Sequence, residues 1–351
     1  MIDLDDVAAL AAADPAGMLR TVGELSSQCR TGFEVGRGTD VRRVTPSSLV
    51  FCGMGGSGVA GDVVRAVYGE RLDVPVVVVR GAGLPAFCGS GALVIASSYS
   101  GGTAETLEAF DDAVRRGCSV VAVTSDGALL ERASDARVPV ARVPGGLMPR
   151  AAFGFLTLAA IGVLERAGVL PPLGDEVASA TEELDTVLAT LAPSVPAAVN
   201  ESKRAATEIG LRVPVVWGEE GVAATAAARW KNQMNENAKT PAMASALPEL
   251  DHNEVVGWSE GVGDRFAVVA LRHEGERADD AARFAPSLDI VASSGAHTAE
   301  VWARGSTPLS RLLSLVAIGD HASTYLAALR GVDPTPIDAI VRLKQALADA
   351  V

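Results

Sequence analysis

Two kinds of apolar pattern alternate along this chain. One is the short continuous run, as in Leu49-Val50-Phe51, Val76-Val77-Val78-Val79 and Val120-Val121-Ala122-Val123. The other is the longer amphipathic stretch, with apolar residues at helical spacing. The runs predict strands over 48–52, 74–80, 92–97 and 119–124, with helices over 59–68 and 103–116 between them. Asp14-Pro15 reads as a cap followed by a first-turn proline, opening a helix that reaches about residue 29. Strands that are apolar throughout, rather than at alternate positions, belong in a parallel sheet buried on both faces. Residues 149–209 then read as long helices. A second alternation follows, with strands over 213–217, 266–271 and 289–292. Helices fill 221–235, 278–284, 309–329 and 337–347. The expected fold class is α/β: two doubly wound parallel-sheet halves of flavodoxin type, joined by long helices, over 1–148 and 149–351.

Composition narrows the possible partners. The chain has 351 residues, 48% hydrophobic and 21% charged, with a net charge of −13. No run of Lys or Arg supplies the basic face that a phosphate backbone requires, so nucleic acid is not an expected partner. A small anion remains admissible, because exposed charges beyond about 8 Å are largely screened at physiological salt. The four cysteines, Cys29, Cys52, Cys88 and Cys118, form no C-x-x-C pair. Free thiols in a reducing cytosol are the expectation. The acidic start, MIDLDDVAAL, does not read as a signal peptide. No apolar stretch of about 18 residues is free of charges and breakers. A cytoplasmic protein with no membrane association is expected.

The first chemical motif is FCGMGGSG, residues 51–58, in which Gly53, Gly55 and Gly58 match G-x-G-x-x-G. A dinucleotide loop needs an acidic residue about 20 positions on, at the end of the next strand, to hold a ribose. That strand ends in Arg80-Gly81. Arg80 suits a 2′-phosphate, which keeps an NADP enzyme among the alternatives. A P-loop is excluded, since no Lys-Ser/Thr follows Gly58. The second motif, SSYSGGTAET over 97–106, also lies between a buried strand and a helix. Ser98, Ser100 and Thr103 add hydroxyls beside Gly56 and Ser57, and Thr103 stands at a helix start, where free N–H groups favour an anion. One N-capping hydroxyl accounts for a single member of this cluster. Both loops fall at the carboxyl edge of the sheet, where ligands bind. Together they describe a cup for one phosphate monoester.

GMGGSG followed by SYSGGTAET resembles the sugar isomerase (SIS) fold. Farther on, KNQMNENAKTPA (231–242), LPELDHNEVVGW (247–258) and DPTPIDAIVRLK (333–344) resemble the bifunctional phosphoglucose/phosphomannose isomerases of archaea and some bacteria. Gly102 stands where that family has Asn, and Ala104 where it has Glu. The resemblance implies aldose–ketose isomerisation of hexose 6-phosphates through a cis-enediolate; no cofactor is expected, and since no histidine pair has metal-ligand spacing, no metal either. It implies the phosphate cup Gly56, Ser57, Ser98, Ser100 and Thr103, with Glu236 as the base that moves a proton between C2 and C1. By the same resemblance Arg150 stabilises the enediolate, and Lys344 assists ring opening or holds a sugar hydroxyl. His252 acts from the neighbouring subunit, which requires a homodimer.

The residues themselves permit these roles. Glu236 lies between Asn235 and Asn237, which can orient a carboxylate without pairing it. His252 sits among Glu249, Asp251 and Glu254 in sequence, and neighbouring carboxylates raise an imidazole's pKa. The bland readings are an exposed helix-end glutamate, a solvated loop histidine, an arginine paired with a surface carboxylate and a lysine on an amphipathic helix. Two other functions compete: a non-catalytic sugar-phosphate-binding regulator of the same fold, and the NADP enzyme.

Overall fold

In the computed structural model, which describes residues 2–258, 261 and 263–349, the buried runs build two separate sheets. The first has β1 (Ser48–Cys52) inside, flanked by β2 (Val76–Val79) and β3 (Ala92–Ser97), then β4 (Ser119–Thr124) and the short β5 (Val140–Arg142). Its order is β2-β1-β3-β4-β5, every neighbouring pair parallel. The second centres on β6 (Val213–Glu219), with β7 (Met243–Leu247), β8 (Phe266–Arg272) and β9 (His297–Trp302) in the order β7-β6-β8-β9, again all parallel. The two halves repeat one winding, the second lacking the fifth strand.

Helices cover and join the sheets. Short α1 (Val7–Ala13) and α2 (Met18–Gly23) precede α3 (Leu25–Arg37). In the first half α4 (Val59–Tyr68), α5 (Ala104–Arg115) and α6 (Ala128–Asp135) are the crossovers, and α7 (Phe153–Arg166) crosses α3 at backbone contact. A Cβ on Gly36 would lie 2.1 Å from the Ala159 carbonyl oxygen, and one on Gly162 would lie 2.5 Å from that of Phe33. Only glycine permits that approach. Next come α8 (Gly174–Leu191), α9 (Glu201–Ile209), α10 (Val222–Glu236), the single turn α11 (Glu254–Gly257) and α12 (Ala278–Ser293). Helix α13 (Pro308–Leu329) is long and apolar enough to cross a membrane by composition, yet 94% of its most apolar window is buried inside the protein, packed on α8, α9 and α10. It is the core helix. One apolar cluster runs from Phe51 and Ile95 of the first sheet to Val216 and Val269 of the second, so a continuous core fixes the two halves together.

The expected helix over 14–29 is two helices, divided at Glu24. Asp14 still caps, accepting from Met18 N at 2.8 Å and Leu19 N at 2.7 Å. The expected strand over 289–292 is the end of α12. Phe284, Leu288 and Val291 are spaced as one helical face and pack beneath the second sheet. All four cysteines are free thiols, and burial pushes Cys29 and Cys52 up to about 12.

Candidate active site

The two hydroxyl-bearing loops, expected from the sequence to form a phosphate cup, are held together by contacts between them. Ser57 Oγ accepts from Tyr99 N at 3.1 Å, latching the β1–α4 turn to the β3–α5 turn. Ser98 Oγ and Thr103 Oγ1 share a hydrogen bond of 3.0 Å, and Ser100 Oγ accepts from Gly102 N at 3.5 Å. Tyr99 tethers the second loop from below: its hydroxyl donates to Pro144 O at 2.8 Å and accepts from Leu147 N at 3.1 Å. Thr103 does not cap α5 with its side chain, and no side chain caps α4. Two helix N-termini therefore carry uncapped N–H groups at the carboxyl edge of the sheet, the arrangement that favours an anion. The glycines of the first motif have a different use from that in a dinucleotide loop. A Cβ on Gly58 would meet Gly53 O at 2.5 Å, so these two close the turn on itself. Arg80, the residue that kept NADP open, is ion-paired with Asp62.

Gly56 brings the chemistry to this cup. A Cβ there would stand 3.1 Å from Arg150 Cα and from Pro149 O, so the loop lies directly on the turn that carries Arg150. Arg150 is 3% exposed. It donates to Asn237 Oδ1 at 2.7 Å, Pro334 O at 2.8 Å and Thr335 O at 2.9 Å. All three acceptors are neutral, and the remaining nitrogen, Nη1, lies 3.7 Å from Glu236 Oε2. Burial lowers the pKa of Arg150 and the nearby Glu236 carboxylate opposes that shift, so a guanidinium is held dry with only a loose counter-charge. This overturns the reading of Arg150 as a surface ion pair.

Glu236 is the last residue of α10 and half-buried. Its flanking amides do not orient it. Asn237 is fully buried and bridges Arg150 to Ser323 Oγ, the latter at 2.9 Å. Arg150 is the group that faces the carboxylate. Behind it, Arg229 forms a two-pronged pair with Asp320 (3.0 and 2.6 Å) and donates to Arg150 O at 3.0 Å. Arg150 thus links loop and carboxylate: its turn lies against the loop at Gly56, and its Nη1 faces Glu236.

His252 and Lys344 are not drawn into that cluster. His252 is exposed on the turn after β7, and among the described residues it makes no hydrogen bond or ion pair within the chain. The three carboxylates beside it in sequence are engaged elsewhere: Glu249 by Asn253, Asp251 by Arg283 and Ser287, Glu254 by Trp217. Lys344 lies on α14 (Asp338–Asp349), whose described side chains are all exposed. A different histidine has the carboxylate partner. Buried His273 meets Glu219 at 2.7 Å across the carboxyl ends of β8 and β6, a pairing between distant segments that no spacing announces. The pair lines a cavity of about 1110 Å³ running between α4 and α10, which reaches the first glycine-rich loop at Gly55. The serines and Glu236 do not line that cavity. Lys239 was also missed, although it stands three residues after Glu236 in sequence; its ammonium donates to Glu236 O at 2.5 Å.

Residues 198–347 match the family described as bacterial phospho-glucose isomerase C-terminal SIS domain. A bifunctional phosphoglucose/phosphomannose isomerase of Caldicellulosiruptor bescii is 33% identical over 336 residues, covering 95% of this chain and 99% of that one. Another, from Aquifex aeolicus, is 36% identical over 307 residues, covering 87% and 92%. Among solved structures, a hypothetical protein of Thermus thermophilus superposes with a TM-score of 0.73 at 17% identity, covering 99% of this chain and 94% of that one, a likeness of fold. With a third of its residues shared along nearly the whole length of a curated relative, the chain belongs to the family of bifunctional phosphoglucose/phosphomannose isomerases.

Proposed function

We propose that this protein interconverts glucose 6-phosphate and mannose 6-phosphate with fructose 6-phosphate, as a cytoplasmic homodimer. The observation that carries the reading is buried Arg150, whose turn lies against the first hydroxyl-bearing loop at Gly56 and whose guanidinium faces Glu236. The phosphate sits against Gly56, Ser57, Ser98, Ser100 and Thr103, with the uncapped ends of α4 and α5 supplying N–H groups. Glu236 takes the proton from C2 of the open aldose. The C2–H electrons become the C1=C2 bond, and the carbonyl oxygen on C1 becomes the oxyanion that faces Arg150. The O2 hydroxyl proton passes to O1, and return of the abstracted proton to C1 leaves the carbonyl at C2 and gives the ketose. Hydrogen moves from one carbon to the next, so the balance calls for no external oxidant or reductant. Glucose and mannose 6-phosphates differ only at C2, and both collapse to one enediolate. One carboxylate therefore serves both, given room to rotate about C2–C3.

Ring opening is assigned to His252 of the partner subunit. Its exposure and lack of partners within its own chain support that reading. So does α14, where Ile340, Leu343 and Leu347 form an exposed apolar stripe rooted beside Arg150 through the carbonyls of Pro334 and Thr335. A second copy covering that stripe carries Lys344 into the interface.

Glu236→Gln tests the base. Both isomerisations are expected to fall by about 10² to 10⁴, while fructose 6-phosphate still raises the melting temperature. Turnover of either hexose phosphate within about tenfold of the parent rate would reject Glu236. Binding without turnover by the unaltered protein would instead make it a sugar-phosphate-binding regulator.

A further inference from the structure

We propose that Lys239 is a second cation of the sugar site, donating with Arg150 to the oxygens of the enediolate. The proposal rests on the reading of Glu236 as the base and adds a residue to it.

Three observations carry it. The first is backbone conformation. Lys239 has φ +52°, and only Arg137 shares a positive φ among the described residues other than glycine. Lys239 lies two residues past Asn237, the C-cap of α10, and left-handed backbone is uncommon for any residue but glycine. A lysine held there is strained, and such strain gathers where a side chain must be aimed. The second is what the side chain reaches. Its ammonium donates to Glu236 O at 2.5 Å and to Pro334 O at 3.0 Å. Two of its three N–H groups are used, and the third is free. The third is the company it keeps. Pro334 O also accepts from Arg150 Nη2 at 2.8 Å, so two cations converge on one carbonyl. Among the described residues, Lys239 has no carboxylate within ion-pair distance, and Arg150 has only Glu236, at 3.7 Å. Like charges gathered around neutral acceptors are unfavourable until an anion joins them. The enediolate is an anion that forms at this place.

The charged groups around Lys239 come from four segments: Arg150 on its turn, Glu236 on α10, Asp333 after α13 and Asp338 on α14. Burial and then Arg150 lower its pKa, against the opposing pull of the three carboxylates. Its charge is therefore lost at a lower pH than that of an ordinary lysine, and activity should fall on that alkaline limb.

The alternative is a lysine that only caps α10, and kinetics on the full-length protein separate the two. Lys239→Met should lower kcat for both sugars about 10²-fold, as loss of one oxyanion donor does. KM should move less than about threefold, since the phosphate is anchored elsewhere. The alkaline limb should vanish in that variant and shift upward in Lys239→Arg, which should recover part of kcat. A lowered melting temperature with kcat within about twofold of the parent would reduce Lys239 to a cap and overturn the proposal. Should Lys239→Met fail to fold, an unmoved alkaline limb in Lys239→Arg would overturn it equally. Loss of kcat in Lys239→Met beside an active Glu236→Gln would sink the base assignment and leave Lys239 standing.

Discussion

Gly101 shows how tightly single residues set the cup. Its φ is +68°, and a Cβ there would lie 1.8 Å from Asp126 O, a backbone atom that cannot swing away. Gly101→Ala should destabilise the protein by about 2 kcal/mol or more, adding left-handed strain to a steric clash. Urea unfolding would measure this, and the stabilisation by inorganic phosphate should weaken with it. An unchanged unfolding midpoint would mean that the loop re-forms at no cost. The hydroxyls of this cup were legible from type and spacing, as four Ser and Thr residues on two adjacent loops. Their internal pairing was not, because the bond from Tyr99 N to Ser57 joins residues 42 apart. Arg150 stood out only by resemblance. An arginine becomes a dry, pre-aimed cation through its acceptors, and those lie 87, 184 and 185 positions away.

At the scale of elements, α10 is the part that turns sequence into geometry. Arg229, Gln233 and Asn237 recur every four residues and present one polar face to Asp320, Ser323 and Arg150. Glu236 sits one residue off that row, so the network seats the helix while its last carboxylate stays loosely paired. Removing Asp320 leaves Arg229 charged and buried, with 3% of its side chain exposed. Asp320→Ala should therefore cost about 3 to 5 kcal/mol. The exposed pair Arg30–Asp185 is a built-in comparison, and Asp185→Ala should cost less than about 1 kcal/mol. Equal losses in denaturant titrations would show that burial does not set the difference. Elements buried on both faces, β1, β3 and β4, were read from their continuous apolar runs. The edge strands β7 and β9 were not anticipated, because an edge strand exposes polar positions, as Thr298 and Glu300 show, and breaks the run. The misplaced strand over 289–292 came from the opposite error, a helical face read over too short a window.

The described residues repeat one winding twice, and among them the paired hydroxyl loops stand at the carboxyl edge of the first sheet alone. In the second, the corresponding turns hold Glu219 against His273, and Glu219 accepts from Ala223 N at the start of α10. A protein carboxylate there occupies the helix end that the first half leaves open. Two alternating α/β halves were visible in the strand pattern, whereas the difference between their turns depends on contacts between distant residues. If the remaining groups come from a second copy, each active centre takes Glu236 from one protomer and His252 from the other. That arrangement has a quantitative consequence. Glu236→Gln and His252→Ala proteins, each inactive, should regain activity when unfolded together and refolded. Random pairing makes half the dimers mixed, and each mixed dimer has one centre with both groups intact, so recovery should approach about a quarter of the parent's activity. A centre built wholly within one chain gives no recovery, because every protomer in the mixture then lacks one group. Recovery near a quarter, with no change in KM, would locate the histidine on the partner without any need to see the interface.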